Sequence, residues 1–433
     1  MTTINMSTLY KLAATGNTPE INWNDNHLRA LAHLDDEEID ILRLPSPCCL
    51  IRHTPTEFSH ISHWPNQNKR RPWRLGICAM EEKALSKSNQ EIFRRLESTG
   101  DIEVTLFGDK TLLTKPVEKW PICDSIIAFY SNGFPLDKAI LYTHLRSPIC
   151  YNSLLMQKLL FDRRLCHRVL DYLGVRTPKR LEVNRDGGPR ALCQELVVHV
   201  YNLLGLELPG PLEDDKVNKF PFIQSPTVSL SEDKNTLEVD GHKLHKPFVE
   251  KPVSAEDHNI YIYFSSTPYS DGGGRRLFRK IGNKCSEYDP CLIVPRCITE
   301  QGMSSSYVYE PLLNADNGED IKAYAVGSSY CFAVTRKSPA VTGMVHRDTN
   351  GKEIRQITEV SKEEAEAAAN ISVGFGQAVC GFDIVRNGGK SYVIDVNGWT
   401  SVKNQPRFYS DCAETLRKML LDRKARDNLT FRH

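Results

Sequence analysis

Two carboxylates and an amide lie close together near the C-terminal end of the chain, in Cys380-Gly-Phe-Asp-Ile-Val-Arg-Asn-Gly-Gly-Lys-Ser-Tyr-Val-Ile-Asp-Val-Asn397. The segment reads as a β-hairpin. On its second strand Asp395 and Asn397 are two apart and share a face, leaving Tyr392, Ile394 and Val396 on the other. On its first strand Asp383 sits between Phe382 and Ile384 and points away from both. Asp383 can join the face of Asp395 only if the connecting loop holds an odd number of residues. A three-residue Asn387-Gly388-Gly389 turn with a left-handed glycine supplies one. Few, hard oxygen donors suit magnesium, which leaves its other positions to nucleotide phosphates and water. Taken alone, the segment fits an ordinary hairpin with solvated polar residues equally well.

The elements that must position such a site lie upstream. Lys246-Pro-Phe-Val-Glu-Lys-Pro-Val-Ser-Ala-Glu-Asp-His-Asn259 leads into a strand at 260–264, then Gly272-Gly273-Gly274, then a strand at 275–281. Pro252 ends ladder pairing and leaves Lys251 at a strand end. A lysine there neutralises phosphates as a point charge, and three glycines let backbone lie close over a polyphosphate. A surface lysine and a flexible hairpin tip fit the same letters.

The strings FVEKPVSAEDHN, GGG with RLFRKIG, RKSPA, CGFD and DVNG, in this order, closely resemble the kinase domain of the diphosphoinositol pentakisphosphate kinases, from about Trp73 to about Arg423. The resemblance implies an ATP-grasp fold, α/β and α+β in class, with an N-terminal α/β domain and two lobes closing on ATP. Its implied divisions are an extension of unknown role over 1–72, the α/β domain over 73–153, a central lobe over 154–309 with an insertion at about 186–236, and a C-terminal lobe over 310–433.

It implies as well that the γ-phosphate of ATP passes to a phosphate of inositol hexakisphosphate or of 5-diphosphoinositol pentakisphosphate, at the 1-position. Carried over by position, Arg163, Lys251 and His258 would contact ATP phosphates, Glu310 the adenine hinge, and Asp320 and Lys322 the nucleotide. Asp383, Asp395 and Asn397 would hold Mg2+. The inositol phosphate would meet Lys83, Arg279, Lys280, Arg336, Lys337, Arg347, Arg355 and Lys403, with Lys251, His258, Arg336 and Asp395 as the catalytic set.

Elementary chemistry agrees with such a site. An acceptor phosphate is already ionised at neutral pH, so transfer needs alignment and charge neutralisation instead of a general base. Cations should outnumber acids around it, as Arg275-Arg276-Leu-Phe-Arg279-Lys280 and Arg336-Lys337 suggest. The whole chain carries 55 Lys+Arg against 54 Asp+Glu, so clustering in a balanced protein favours a specific anionic ligand over nucleic acid. Three departures from the family stand out: Glu81-Glu82 beside Lys83, Met344 where a lysine is expected, and Pro311 after Glu310 where relatives often carry a second acid. They put acceptor preference, more than ATP binding, in doubt.

With 433 residues, 40% hydrophobic and 25% charged, the chain is globular and large enough for more than one packed unit. No run approaches the about 18 apolar residues of a membrane span, and the start lacks a secretory pattern, so a cytoplasmic protein is expected. Thirteen cysteines with no Cys-x-x-Cys pair argue for free thiols, including Cys285, Cys291 and Cys297 in an expected loop.

Along the chain, 1–72 shows no strong periodicity, with an acidic run at 35–40 and a short helix expected at 27–34. Strands at 74–79, 104–107 and 125–129 alternate with a helix at 89–96. Residues 154–173 read as helical, 179–183 as a strand, and the apolar run 196–208 as a helix of the insertion packing on the body. Ser361-Lys-Glu-Glu364 is a capping box opening a helix to about 377, and 411–423 reads as the closing helix. Relatives can carry a phosphatase domain after the kinase and this sequence has none, which anticipates a single-activity kinase or a fragment. Beside the leading reading stand a kinase for a less phosphorylated inositol, an ATP-grasp ligase, and a noncatalytic inositol-phosphate sensor.

Overall fold

Apolar runs alternating with amphipathic helices build the first layer. Ile102–Leu106, Trp73–Cys78, Ser125–Ala128 and Ile149–Cys150, in that spatial order, form a wholly parallel sheet, with the helices Lys87–Glu97 and Leu136–Arg146 in its connections. The first three strands and the helix Lys87–Glu97 are those expected from the sequence, shifted by one or two residues at their ends, while Leu136–Arg146 and Ile149–Cys150 are additional. The computed structural model describes residues 71–211, 225–267, 270–299, 302, 304–349, 351 and 353–430. Residues 73–433 form one unit and 1–72 another, and the helix and acidic run expected at 27–40 lie outside the described residues.

Two antiparallel sheets follow. The first has six strands in the order Lys284–Asp289, Gly274–Ile281, Ile260–Tyr263, Phe248–Pro252, Tyr307–Pro311 and Leu181–Val183. The second has five, in the order Gln356–Ile357, Tyr330–Lys337, Glu319–Val326, Val379–Asn387 and Lys390–Asn397. The helical stretch before them is two helices, Leu154–Leu159 and Arg163–Tyr172, broken at Asp162, whose side chain caps the second by accepting from the Arg164 amide.

In the expected insertion, the helix Gln194–Leu204 packs Leu196 and Val200 into the core that also holds Leu154 and Leu165. The meander after it, Val228–Leu230, Thr236–Val239 and His242–His245, runs past the boundary drawn at 236. It cannot be cut there, because Leu237 and Val239 share a core with Phe248 and Tyr309 of the six-stranded sheet. Cys285, expected in a loop, lies on the Lys284–Asp289 strand, and the described cysteines are all free.

The helix Lys362–Gly374 starts at the expected capping box, and the box also braces the hairpin. Glu364, 2% exposed, accepts from the Ser361 amide at 2.9 Å, from Arg386 Nε and Nη2 at 2.7 Å each, and from Ser391 Oγ at 2.7 Å. Arg386 and Ser391 face each other across the hairpin, so one carboxylate ties both strands to the helix beneath. Replacing the Ser361 cap with alanine should cost about 1 kcal/mol. Glu364→Ala should cost about 2–3 kcal/mol, because it removes the shared acceptor of Arg386, Ser391 and the Ser361 amide. Denaturant midpoints test this, and equal losses for the two variants would show that the hairpin does not lean on Glu364.

Candidate active site

Whether Asp383 meets Asp395 is a matter of strand parity, and the hairpin settles it in an unexpected way. The turn is not the three-residue loop read from the sequence. Asn387 pairs with Lys390, leaving a two-residue Gly388-Gly389 turn in which both glycines have positive φ, 58° and 77°, the geometry that matches strand twist. An even loop would set Asp383 opposite Ile394. Instead the register slips by one residue: Ile384 pairs with Val393, but Asp383 pairs with Asp395 and Gly381 with Asn397. Ile394 is the extra residue of a β-bulge. Consequently Val393 and Val396 are the core residues of this strand, and Ile394 faces a cleft instead of following Val396 inward.

The bulged residue offers its carbonyl to Lys251 Nζ at 3.0 Å, and the same ammonium donates to Glu310 Oε2 at 2.8 Å. Lys251 belongs to the six-stranded sheet and Ile394 to the five-stranded one, so this charge sits between the two lobes. Lys251 is 6% exposed and Glu310 2%. Burial alone would raise the Glu310 carboxyl, but the adjacent ammonium keeps it below its ordinary value. Glu310, expected at an adenine hinge, is thus the buried counter-ion of Lys251. Its backbone and the following Pro311 and Leu312 do line a slot of about 280 Å³, walled by Val249, Ile262, Leu277, Val385 and Ile394, with Lys251 and Asp320 at its polar side. A flat aromatic ring with one polar end suits such a slot.

The cleft face of the five-stranded sheet carries an alternating ladder of charge. Asp320 pairs in register with Arg336, Lys322 with Asp383, and Asp383 with Asp395. Lys322 Nζ lies 3.1 Å from Asp383 Oδ2 and Arg336 Nη2 lies 3.9 Å from Asp383 Oδ1. Burial works against ionising Asp383, yet these two cations hold its carboxyl below the usual value. Asp383 Oδ1 is buried with no hydrogen-bond partner, and Asn397 Nδ2 donates to Asp395 Oδ2 at 3.2 Å. A buried carboxylate oxygen without a donor, facing a second carboxylate, fits a cation. Among the described residues no three His, Cys, Asp or Glu side chains gather for a metal. A set of two carboxylates and an amide is within the habit of magnesium.

A second cleft, about 500 Å³, opens beside Asp395 and is lined by Lys83, Gln157, His258, Arg279, Asp395 and Asn397, among others. Ile394 therefore faces one cavity and Asp395 the next. Of the cations expected around an acceptor, only Lys83 and Arg279 line this cleft. Lys83 is tied to Glu82 at 2.8 Å, and Glu82 and Glu256 line the cleft as well, so the expected excess of cations is not found there. Lys280, Arg336 and Lys337 instead line a small depression with Met344. Lys280 is paired with Glu353, and Lys337 with Glu319. Arg347 bonds Asn283 Oδ1 at 2.6 Å and Arg355 bonds Glu353, while Lys403 is exposed. None of these last three lines either cleft.

Two further groups are engaged within the fold. The Arg163 guanidinium holds the carbonyls of Pro252 at 2.6 Å, Asp257 at 3.2 Å and Ser254, in the loop that follows Lys251. The glycine triplet lines neither cleft; a Cβ at Gly274 would come 2.4 Å from the Ile262 carbonyl, and one at Gly273 2.6 Å from the Tyr288 hydroxyl. Close internal packing requires those glycines, and Leu277, further along the same strand, faces the slot. Two participants were not singled out from the sequence. One is the Ile394 carbonyl, invisible because a bulge has no reliable sequence signature here. The other is His167, four residues after Arg163 and so on the same helix face.

Burial pushes the Asp320 carboxyl up to about 6. The folded protein therefore holds this proton more tightly than the unfolded chain. That advantage is present below the ordinary value of 3.8 and lost as pH rises through about 6. In nucleotide-free protein Asp320→Asn should stabilise at pH 7, by up to roughly 3 kcal/mol, with the gain shrinking towards pH 4. A gain that is constant across melts at several pH values would contradict the raised carboxyl.

Residues 73–162 match a family described as the diphosphoinositol pentakisphosphate kinase 2 N-terminal domain. The chain is 50% identical over 351 residues to the inositol hexakisphosphate and diphosphoinositol-pentakisphosphate kinase of Saccharomyces cerevisiae, covering 81% of this chain and 29% of that protein. It is 42% identical over 352 residues to the kinase VIP1 of Arabidopsis thaliana, again 81% and 29%. It is 40% identical over 347 residues to the human kinase 2, 80% and 24%. The chain thus spans less than a third of the length of each of these three relatives. Among solved structures it is similar to the D-alanine–D-alanine ligase of Bacillus anthracis complexed with ATP, at 14% identity and a TM-score of 0.43 over 82% of this chain and 99% of that one. It is similar also to the ATP-grasp ligase PsnB complexed with minimal precursor, at 11% and 0.45 over 80% and 99%.

Proposed function

Over 81% of its length the chain belongs to the inositol hexakisphosphate and diphosphoinositol-pentakisphosphate kinase family, and we propose that it transfers the γ-phosphate of ATP to a phosphate of inositol hexakisphosphate or 5-diphosphoinositol pentakisphosphate, at the 1-position. In the reaction an acceptor phosphate oxygen forms a bond to the γ-phosphorus while the bond from that phosphorus to the β–γ bridging oxygen breaks, and ADP leaves. The observation that carries this reading is the bulged strand shared by two cavities: Ile394 walls an apolar slot and Asp395 lines a polar cleft. A nucleotide whose adenine fills the slot would present its terminal phosphate at the hairpin, with the acceptor arriving from the polar side.

Within that reading Lys251 meets the nucleotide's phosphates, and Lys322 and Arg336 offset charge beside Asp383. Asp383, Asp395 and Asn397 would hold magnesium, which supplies neutralisation of the β- and γ-phosphates when bound. His258 and Arg279 line the polar cleft and would face the incoming phosphate. Burial, followed by the charges of Arg279 and Arg163, lowers His258 below its ordinary value. The shortage of free cations in the cleft favours a second reading, a less phosphorylated inositol as acceptor. Among the described residues no helix is long and apolar enough to cross a membrane.

Incubation with ATP, magnesium and inositol hexakisphosphate, or its 5-diphosphate, should give a product whose phosphorus spectrum reports both a new diphosphate and its ring position. Asp395→Asn should lower that transfer by at least roughly 100-fold while changing the melting temperature by only a few degrees. Full activity in the variant would remove the metal assignment. Turnover with a carboxylate and an amine in place of the inositol phosphate would make the chain a ligase, and binding without ATP consumption would make it a sensor.

A further inference from the structure

His167 is buried and takes no part in the transfer outlined above. It lies on the helix Arg163–Tyr172, one turn beyond Arg163, and each of the two side chains reaches a residue that adjoins Lys251. Arg163 holds the carbonyl of Pro252, the residue after Lys251. His167 Nε2 lies 3.4 Å from Glu310 Oε1, while the other oxygen of the same carboxylate accepts from Lys251. Glu310 Oε1 and His167 Nδ1 are both buried with no hydrogen-bond partner. The groups bearing on the imidazole are Glu310, Lys251, Arg180 and Asp171, and burial outweighs them, so the ring is neutral. A neutral ring with one N–H can serve Glu310 only through Nε2.

We propose that His167 is a positioning residue that acts through Glu310 on Lys251, fixing where the ammonium meets the nucleotide's phosphates. The inference rests on the reading that Lys251 contacts those phosphates. The physical reason is competition. A buried carboxylate whose only donor is Lys251 holds that ammonium with its whole charge. A second donor on the free oxygen shares the charge and releases part of the ammonium's bonding capacity toward the slot. The 3.4 Å separation leaves room for the contact to tighten when phosphates draw Lys251 outward.

Binding of ADP with magnesium, followed by calorimetry, tests this apart from turnover. If the unaltered protein does not bind ADP, the reading of Lys251 fails and this inference with it. If it does, His167→Gln, whose amide reaches the position of Nε2, should keep affinity within about threefold, and His167→Asn, which is too short, should lose roughly 10-fold. Adenosine, which has no phosphate, should bind both alike. On a Glu310→Gln background, where no carboxylate competes for Lys251, adding His167→Asn should change ADP affinity less than about twofold. Equal losses for Gln and Asn, or a loss from His167→Asn that persists on the Glu310→Gln background, would overturn the proposal. Failure of His167→Asn to fold on that background would make His167 a packing residue and overturn it too.

Discussion

One buried positive charge holds the two lobes to each other. Lys251 comes from the six-stranded sheet and reaches across to a backbone carbonyl of the five-stranded one, with Glu310 as its counter-ion. Buried ion pairs of this kind seldom stabilise a fold relative to apolar packing. The place of this one at a lobe junction fits the proposed function, in which a ligand phosphate would meet the same ammonium. Lys251 has three donors, of which the carboxylate and the carbonyl take two. A charge held by one strong and one weaker partner is poised to turn towards a third.

The alternation of faces explains why Glu250 and Lys251 can sit side by side in a strand with opposite tasks. Lys251 faces the slot, whereas Glu250, fully buried, accepts from Tyr309 Oη on the other face and pairs with Arg296. Arg296 in turn stacks 4.0 Å from the Tyr261 ring centroid, which spreads its charge over an aromatic face. The lysine's backbone is thus fixed from behind by a network that does not compete for its ammonium group.

Much of this was legible because types and spacing constrain chemistry strongly. The Asp383, Asp395 and Asn397 set, the Lys251 strand, the capping box at Ser361 and the alternation of strands and helix in the first layer all follow from periodicity and residue type. The hairpin turn was misread for an instructive reason. Parity required one odd residue between Asp383 and Asp395, and a turn or a bulge satisfies that equally. Two consecutive glycines favour the tight two-residue turn, so the odd residue had to appear inside the strand. The triple glycine was misread the other way: its signal was real, but close packing against Ile262 and Tyr288 makes the same demand for a missing Cβ as a phosphate does. The family resemblance set Arg163 among the phosphate contacts, but the carbonyls it holds belong to a loop whose path is not legible in the sequence.

The bulge also explains why the extra residue is an isoleucine. Its carbonyl leaves the ladder and turns to Lys251, while its side chain walls the apolar slot. Without the extra residue an even turn would pair Asp383 with the aspartate directly, and the two carboxylates would still face each other. What would vanish is the link between that pair and the lysine of the opposite lobe. The inserted residue therefore does not create the carboxylate pair. It couples the pair to the apolar slot, so that two successive residues carry an apolar wall and a lobe-bridging carbonyl, both from Ile394, and a cleft-lining carboxylate from Asp395. Positioning of this kind, set by backbone instead of a mobile side chain, suits a reaction whose barrier is lowered mainly by alignment and charge neutralisation.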